Sequence, residues 1–275
     1  MSFEIAALVL FAALLHASWN ALLKGGGDGF WAMTVMGIAT SLTCAALVPF
    51  LPPPAPASWP YIAVSALLHV GYNGFLVRAY RNGDFGSAYP VARGSSPLLV
   101  TIGAAVTVGE WPALTGLIGI MLVSSGIVSL AFRGRRLPEA GILYALGTGL
   151  FIAAYSVTDG IGGRLSGNAV AYTVWMCLAW GASALPIFLA RRPGGAIWRG
   201  TRTTGLAAMG GVISLAAYGI IIFAMTRAPM GAVSALRETS VLFAVLLGWV
   251  FFGEILTARR ILSALVIAAG ALCLE

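Results

Sequence analysis

Apolar residues occur in long runs along this chain, and short polar, glycine-rich or proline-rich breaks separate the runs. An α-helix needs about 20 residues to cross a hydrocarbon core of about 30 Å at about 1.5 Å per residue, and the runs have about this length. We therefore predict ten membrane-spanning helices over residues 3–23, 30–50, 59–80, 85–108, 112–132, 138–162, 168–190, 204–226, 230–252 and 257–274. The breaks include a glycine turn at residues 25–27 and a triple proline at residues 52–54, which cannot continue a helix.

Seven residues of the first half recur in the second half at one constant offset of 144 positions. The repeated pairs are Arg93 and Arg237, Ser96 and Ser240, Leu98 and Leu242, Val106 and Val250, Gly109 and Gly253, Glu110 and Glu254, and Gly126 and Gly270. This register runs across two helices and the loop between them, so we predict an internal repeat of two five-helix halves, residues 1–133 and 138–275. Because five is odd, the second half enters the membrane from the opposite side, as in an inverted repeat.

The basic residues agree with this inversion. In the first half they flank the connections after its first and third helices, and in the second half mainly those after its second and fourth. Over the whole chain, the even-numbered connections carry only Arg164 and Arg227. The odd-numbered connections carry Lys24, Arg78, Arg81, Arg133, Arg135, Arg136, Arg191, Arg192, Arg199, Arg202, Arg259 and Arg260. The positive-inside rule then puts both chain termini outside the cell.

Composition excludes an ordinary soluble protein, since 59% of the residues are hydrophobic and the mean hydropathy is +0.93. The net charge of +7 comes from cations scattered at helix ends, so it does not indicate nucleic-acid binding. Cys44, Cys177 and Cys273 fall in apolar runs without metal-ligand spacing, and we interpret them as packing residues. No catalytic triad, zinc-protease motif or nucleotide-binding loop is present in the sequence.

Each half ends with a helix of polar and small residues, a Gly-Glu pair and a glycine-rich last helix. This pattern is strongest at Gly109 with Glu110 and Gly253 with Glu254, and Trp19 with Asn20 in the first helix adds to it. It resembles the EamA-type carriers of the drug/metabolite transporter superfamily, and within them the amino-acid exporters of the YddG type. The resemblance implies a central cavity lined mainly by membrane helices 1, 3, 4, 6, 8 and 9, often with 2 and 7. It also implies cytoplasmic termini, opposite to the charge count.

Polar side chains within the membrane helices are the candidate solute-binding residues, because hydrocarbon disfavours them unless they face a cavity or a partner. His16, Trp19 and Asn20 share one face of helix 1, and the same spacing recurs on helix 3. The candidates are His16, Trp19, Asn20, His69, Tyr72, Asn73, Tyr89, Arg93, Tyr155, Trp175, Tyr218, Arg237 and Ser240. The alternative for the asparagines is a bond between helices, and for the aromatic residues an anchor at the membrane interface.

Charged residues within or beside the spans allow two interpretations. An arginine inside a membrane bundle needs an acceptor, so Glu238 forms a structural ion pair with Arg237 or Arg93, or one arginine binds a solute carboxylate. We expect water to reach Asp159, which lies near the end of a predicted span. Glu110 and Glu254 precede helices, where a carboxylate is favoured by the helix dipole, and we expect them to be structural.

These features predict an all-helical membrane transporter or facilitator. We expect it to export neutral and aromatic amino acids, or related metabolites, by alternating access across a bacterial inner (plasma) membrane. We expect a monomer without metal or cofactor, whose partners are the small-molecule solute and membrane lipid, while coupling to protons stays open. The alternative is an intramembrane enzyme acting on a lipid or isoprenoid phosphate, with the arginines and histidines binding the phosphate.

Overall fold

The computed structural model describes residues 1–23, 28–82, 85–131 and 139–274, and every regular element in these residues is helical. The α-helices are α1 (Phe3–Leu23), α2 (Gly29–Leu47), α3 (Trp59–Asn82), α4 (Phe85–Val108), α5 (Leu114–Ser129), α6 (Glu139–Leu165), α7 (Ala169–Ala182), α8 (Ala184–Arg191), α9 (Thr201–Met225), α10 (Met230–Arg237), α11 (Ser240–Phe252) and α12 (Ala258–Leu272). The predicted turn at residues 25–27 and the predicted boundary between the halves near residues 133–138 lie outside the described residues.

Each predicted span has its helix, and two spans are interrupted. α7 and α8 together form one span, as do α10 and α11. Eight segments of the described residues are long and apolar enough to cross a membrane, whereas α5 and α12 have only 16 and 15 residues. The prediction of an all-helical membrane protein is therefore confirmed, and two of its ten predicted spans contain short helices.

The chain turns with the same backbone geometry after α4 and after α11. Gly109 and Gly253 adopt φ angles of 71° and 63°, a left-handed conformation that glycine tolerates because it lacks a Cβ atom. After each glycine, the amide of Glu110 or Glu254 donates to the carbonyl oxygen six residues earlier, over 3.2 Å and 3.1 Å. The two Gly-Glu pairs of the sequence therefore end their helices in the same way.

Helices from the two predicted halves pack closely against each other. α1 packs along α9, α3 along α6, α2 along α7 and α9, and α5 along α12. A methyl group on Gly211 of α9 would lie 2.5 Å from the carbonyl oxygen of Met36 in α2. One on Gly119 of α5 would lie 2.8 Å from the carbonyl oxygen of Gly270 in α12. Glycine at these positions lets helix backbones approach closely, which is the main source of helix association in a membrane.

The helices alternate in direction, so the first and last described residues lie at the same end of the bundle, here called the terminal end. The largest buried apolar cluster is concentrated at this end. It includes Val9 of α1, Val100 of α4, Ile120 of α5, Met225 of α9 and Met230 of α10. The opposite end carries the last residues of α1, α3 and α8 and the first residues of α2, α4 and α9. Because the core fills the terminal end, the space for a solute lies between the middle of the bundle and the opposite end.

Candidate functional site

A cavity of about 520 Å³ lies between the two predicted halves. Helices α1 to α4 line it from one side, and α6 to α10 line it from the other. Arg78, near the end of α3, and Arg191, at the end of α8, line its outer part and are exposed, so the cavity reaches the opposite end of the bundle. Its volume is within the range of about 300–1,000 Å³ that small-molecule sites occupy.

Nine of the candidate residues line this cavity. They are His16, Trp19, His69, Tyr72, Asn73, Arg93, Tyr155, Tyr218 and Arg237. The structure therefore brings together side chains from six of the predicted spans, although they are up to 221 residues apart in the sequence (His16 to Arg237).

The other four candidates lie outside the cavity lining. The Asn20 amide donates to the carbonyl oxygen of His16, at 2.7 Å on the same helix. The Trp175 ring packs edge-on against Trp59, with 5.1 Å between ring centroids. Ser240 accepts a hydrogen bond from Arg93 at 3.2 Å. The Tyr89 ring lies 5.8 Å from the guanidinium carbon of the same arginine. Asn20, Ser240 and Tyr89 thus contact a cavity residue, and Trp175 contacts none in these interactions.

Two arginines of the cavity wall share one carboxylate. The Glu238 side chain is fully buried between α10 and α11, with Oε2 at 2.7 Å from Arg93 Nε and Oε1 at 3.1 Å from Arg237 Nη2. The two arginines are only 5% and 4% exposed. The expected ion pair is therefore a cluster of three, in which both arginines take part. Two cations and one anion leave an excess positive charge, which stabilises an anionic group of a bound solute.

Apart from Arg93 Nε, which is ion-paired with Glu238, two buried polar atoms on the cavity-lining side chains have no hydrogen-bond partner among the described residues. Trp19 Nε1 is a donor, and Asn73 Oδ1 is an acceptor. A buried polar atom without a partner costs about 1–3 kcal/mol. A solute that accepts from the indole and donates to the amide oxygen removes this cost.

Aromatic side chains from both halves pack together at the inner part of the cavity. The His69 ring stacks on Tyr155 with 4.1 Å between centroids, and it lies 5.6 Å from both Trp180 and Tyr218. Tyr72 packs edge-on against Tyr155 at 5.8 Å. Such a wall offers ring faces and edges to an apolar or aromatic group of a solute.

Asp159 is fully buried, so the expectation that water reaches it is wrong in this structure. The reason is that α6 continues to Leu165, which leaves Asp159 well inside the helix. Its Oδ1 accepts a hydrogen bond from the Tyr172 hydroxyl at 2.9 Å, and its Oδ2 accepts one from the Tyr218 hydroxyl at 2.5 Å. Tyr218 lines the cavity and Asp159 lies directly behind it.

At the terminal end, polar contacts join the two predicted halves. Arg164 pairs with Glu110 over 2.5 Å and donates to carbonyl oxygens at the end of α9 and just after it, over 2.7–3.3 Å. Glu110 also accepts the amide of Met230 at the first turn of α10, over 2.9 Å. At the opposite end and within the second half, Glu254 pairs with Arg260 over 2.8 Å. Both glutamates thus hold loops and helix ends, in line with the structural role we expected for them.

An ion-pair cluster also joins the halves at the opposite end. Asp28 caps α2 by accepting the Trp31 amide at 3.1 Å, and it pairs with Arg192 and, at 2.8 Å, with Arg199. The hydrogen bond from Arg192 is the main reason that the pKa of Asp28 falls to about 2.

Several cavity residues on α2, α7 and α8 were not among the candidates. They are Phe30, Met33, Thr34, Met36, Thr40, Cys177, Trp180, Ser183, Ala184, Ile187 and Ala190. Most are apolar or small, and an apolar side chain gives the same sequence signal whether it faces lipid, a neighbouring helix or a cavity. Only Trp180 carries a recognisable signal, as a second tryptophan on the same span as Trp175.

Known proteins resemble this chain in sequence and in fold. Residues 139–274 match the model of the EamA-like transporter family. A solved structure described as "Crystal structure of protein" has a TM-score of 0.80 to this chain, with 20% sequence identity over 98% of this chain and 97% of that chain. At that identity the likeness shows a shared fold. A search of curated proteins finds no match.

The helices define a multi-pass membrane protein with a central cavity. Its second half, residues 139–274, matches the EamA-like transporter family of the drug/metabolite transporter superfamily. The family implies membrane transport of small solutes, and its members are typically not enzymes.

Proposed function

We propose that this protein exports neutral and aromatic amino acids, or closely related metabolites, across a bacterial inner membrane as a secondary transporter or facilitator. One observation carries the proposal: a single cavity combines arginines in excess of carboxylates, an unpartnered acceptor and aromatic ring faces. An α-amino acid has the complementary carboxylate, ammonium group and side chain. We further propose that the protein works as a monomer.

The arginine cluster suits the carboxylate of such a solute. The described contacts of Arg237 with Glu238 use Nε and Nη2, which leaves Nη1 for the solute. Hydrogen bonds to charged groups contribute about 1.5–3 kcal/mol. The negative charge of the solute also offsets the excess positive charge of the cluster.

The remaining groups of an amino acid have partners in the same cavity. Asn73 Oδ1 is suited to accept from the ammonium group, and Trp19 Nε1 is suited to donate to the second carboxylate oxygen. Tyr72, Tyr155 and Trp180 provide faces and edges for the side chain. We expect broad specificity, because an apolar pocket discriminates one methylene group by only about 1–3 kcal/mol.

We also propose that two inverted five-helix halves, residues 1–133 and 138–275, rock against each other in alternating access. The helix pairing supports this. The first helix of each half packs along the third helix of the other half: α1 packs along α9, and α6 packs along α3. The matched turns at Gly109 and Gly253 agree with it. The cavity reaches one end of the bundle, while ionic contacts and the apolar core close the other.

The orientation of this state bears on the direction of transport. Under the positive-inside rule, the cation-rich opposite end faces the cytoplasm, and the cavity then opens to the side from which an exporter loads. The family resemblance implies cytoplasmic termini, and the cavity then opens to the outside of the cell. Labelling intact cells with an impermeant thiol reagent, after a cysteine is placed at either terminus, distinguishes the two orientations.

Flux measured with the purified protein in liposomes tests the proposal. We expect saturable uptake of radiolabelled L-phenylalanine that the unlabelled amino acid inhibits. Phenylethylamine lacks the carboxylate and phenylpropionate lacks the ammonium group. Each should inhibit at least roughly tenfold less well, because each loses a charge-assisted hydrogen bond of about 1.5–3 kcal/mol. Protein-free liposomes are the control. Absence of amino-acid flux, or equal inhibition by all three compounds, refutes the proposal.

A further inference from the structure

Asp159 differs from the other buried carboxylate in the described parts of the chain. Glu238 has two arginine partners, whereas Asp159 has no lysine, arginine or histidine within 4.0 Å among the described residues. Its hydrogen-bonding partners are neutral hydroxyl groups, those of Tyr172 and Tyr218 with Ser65 also facing it. An ionised carboxylate without a cation is costly in a buried site inside a membrane, and such a residue is a functional candidate by default.

The groups that face Asp159 come from both predicted halves. Tyr172 and Tyr218 belong to α7 and α9 of the second half, and Ser65 and His69 belong to α3 of the first. His69 Nδ1 lies 2.9 Å from the carbonyl oxygen of Ser65 and therefore donates to it. Tyr155 and Cys177 are the other titratable groups nearby. Asp159 therefore lies at the junction that must separate if the halves rock apart.

Asp159 is also next to the solute cavity. The Tyr218 hydroxyl, which donates to Asp159 at 2.5 Å, belongs to a side chain that lines the cavity. The His69 ring lies 5.6 Å from the Tyr218 ring and lines the cavity as well. A short polar route thus connects the buried carboxylate with the solute site.

We propose that Asp159 is a proton-binding site through which the protein exchanges a proton for its solute. This inference rests on the proposed function. In the step at Asp159, a carboxylate oxygen gains an O–H bond as a hydronium ion loses one and becomes water, and the reverse transfer to water occurs when the proton leaves. In the present state, the proton passes to the cavity along Tyr218 and His69. When the junction opens, water at the terminal end reaches Asp159 and the proton enters or leaves there.

The charge of the solute gives the direction of the coupling. A positive ammonium group in the cavity attracts an ionised Asp159 and disfavours its protonated form. Binding of the solute therefore expels the proton, and rebinding of the proton favours the empty carrier. Because the two compete, solute and proton move in opposite directions across the membrane.

The test uses the purified full-length chain in liposomes that contain a pH-sensitive dye, with L-phenylalanine as the solute. For the unmodified protein we expect phenylalanine addition to move protons in the opposite direction, and a pH gradient to drive phenylalanine uphill. Asp159→Asn keeps hydrogen-bonding atoms for both tyrosines. It should retain exchange of labelled for unlabelled phenylalanine within about threefold, which corresponds to about 0.6 kcal/mol, and should lose proton movement. Asp28→Asn, the same substitution at the rim of the bundle, should retain both activities.

Each outcome is decisive. If the unmodified protein carries phenylalanine without proton movement, or if Asp159→Asn still moves protons, the inference is overturned and the proposed function stands. If no amino acid is carried at all, the proposed function itself fails. Should Asp159→Asn not fold, Tyr218→Phe serves instead, because it removes one hydrogen bond to the carboxylate and keeps the ring. We expect it to shift the pH at which exchange is half-maximal, and an unchanged pH profile contradicts the inference.

Discussion

Replacing Glu238 by glutamine removes the carboxylate that two buried arginines share. The Glu238 side chain has no exposed surface, and its oxygens lie 2.7 Å from Arg93 and 3.1 Å from Arg237. Breaking a buried ion pair by removing one partner typically costs about 3–5 kcal/mol. We expect a loss of this size for Glu238→Gln, because both arginines, at 5% and 4% exposure, stay buried without a counter-charge.

Arg237→Met should behave differently, because it leaves Arg93 and Glu238 as a balanced one-to-one pair. We expect it to lose well under half the stability that Glu238→Gln loses. Solute affinity should nevertheless fall roughly ten- to hundredfold, which corresponds to a charge-assisted hydrogen bond of about 1.5–3 kcal/mol. The double substitution of Arg237 by Met and Glu238 by Leu is not expected to restore stability, since it leaves Arg93 buried without a counter-charge.

Both quantities can be measured on purified protein in detergent, by thermal unfolding and by binding of radiolabelled L-phenylalanine. Arg227→Met is a matched control, since Arg227 is exposed at the terminal end and outside the cavity lining. It should change neither quantity appreciably. If Arg237→Met destabilises the protein as much as Glu238→Gln does, or binds phenylalanine as tightly as the unmodified protein, Arg237 is not the excess cation of a solute site.

Three further predictions follow from the packing, the cavity and the rim. Gly211→Ala should lower the unfolding temperature measurably, since its Cβ meets backbone atoms of α2 at 2.5–3.1 Å; Gly205→Ala on the same helix, with nothing within 4 Å, should not. In a variant without the native cysteines, phenylalanine should protect Tyr72→Cys from an impermeant thiol reagent. It should not protect Trp175→Cys, because Trp175 packs outside the cavity. Equal protection of both contradicts the placement of Tyr72 in the solute site. Asp28→Asn keeps the helix cap and removes the ion pairs, worth about 0–1 kcal/mol at a surface. Because the pKa of Asp28 falls to about 2 in the fold, the unmodified protein should be the more stable above about pH 4, and this advantage should vanish as the pH of unfolding experiments falls towards 2.

The spans were predictable because crossing a membrane imposes a length and an apolar composition on every helix. The helix breaks at Ser183 and at Glu238 with Thr239 were not predicted. The predicted spans run through both positions, although the second break lies in the polar stretch 237–240. The burial of Asp159 was also missed. The predicted span ends at residue 162, whereas α6 ends at Leu165. This difference of three residues led us to expect a solvated carboxylate where the structure has a buried one.

The candidate site was predictable where polar residues repeat at helical spacing, as in the stripe of His69, Tyr72 and Asn73 on α3. It was not predictable on α7, where Trp175 packs outside the cavity and Trp180 lines it. In water, an apolar face marks the inside of a protein. In a membrane, lipid-facing and packed faces are both apolar, so the sequence does not show which tryptophan turns inward.

The short helices α5 and α12 have a consequence for the surrounding lipid. At 16 and 15 residues they are about 24 Å and about 22 Å long, against a hydrocarbon core of about 30 Å. They pack along each other, and exposed leucines such as Leu114 and Leu262 cover their outer surface. Acyl chains beside this pair must shorten or tilt to match it, at a fraction of a kcal/mol per Å. We therefore expect a locally thinned bilayer along the α5–α12 side of the protein, enriched in lipids with shorter acyl chains.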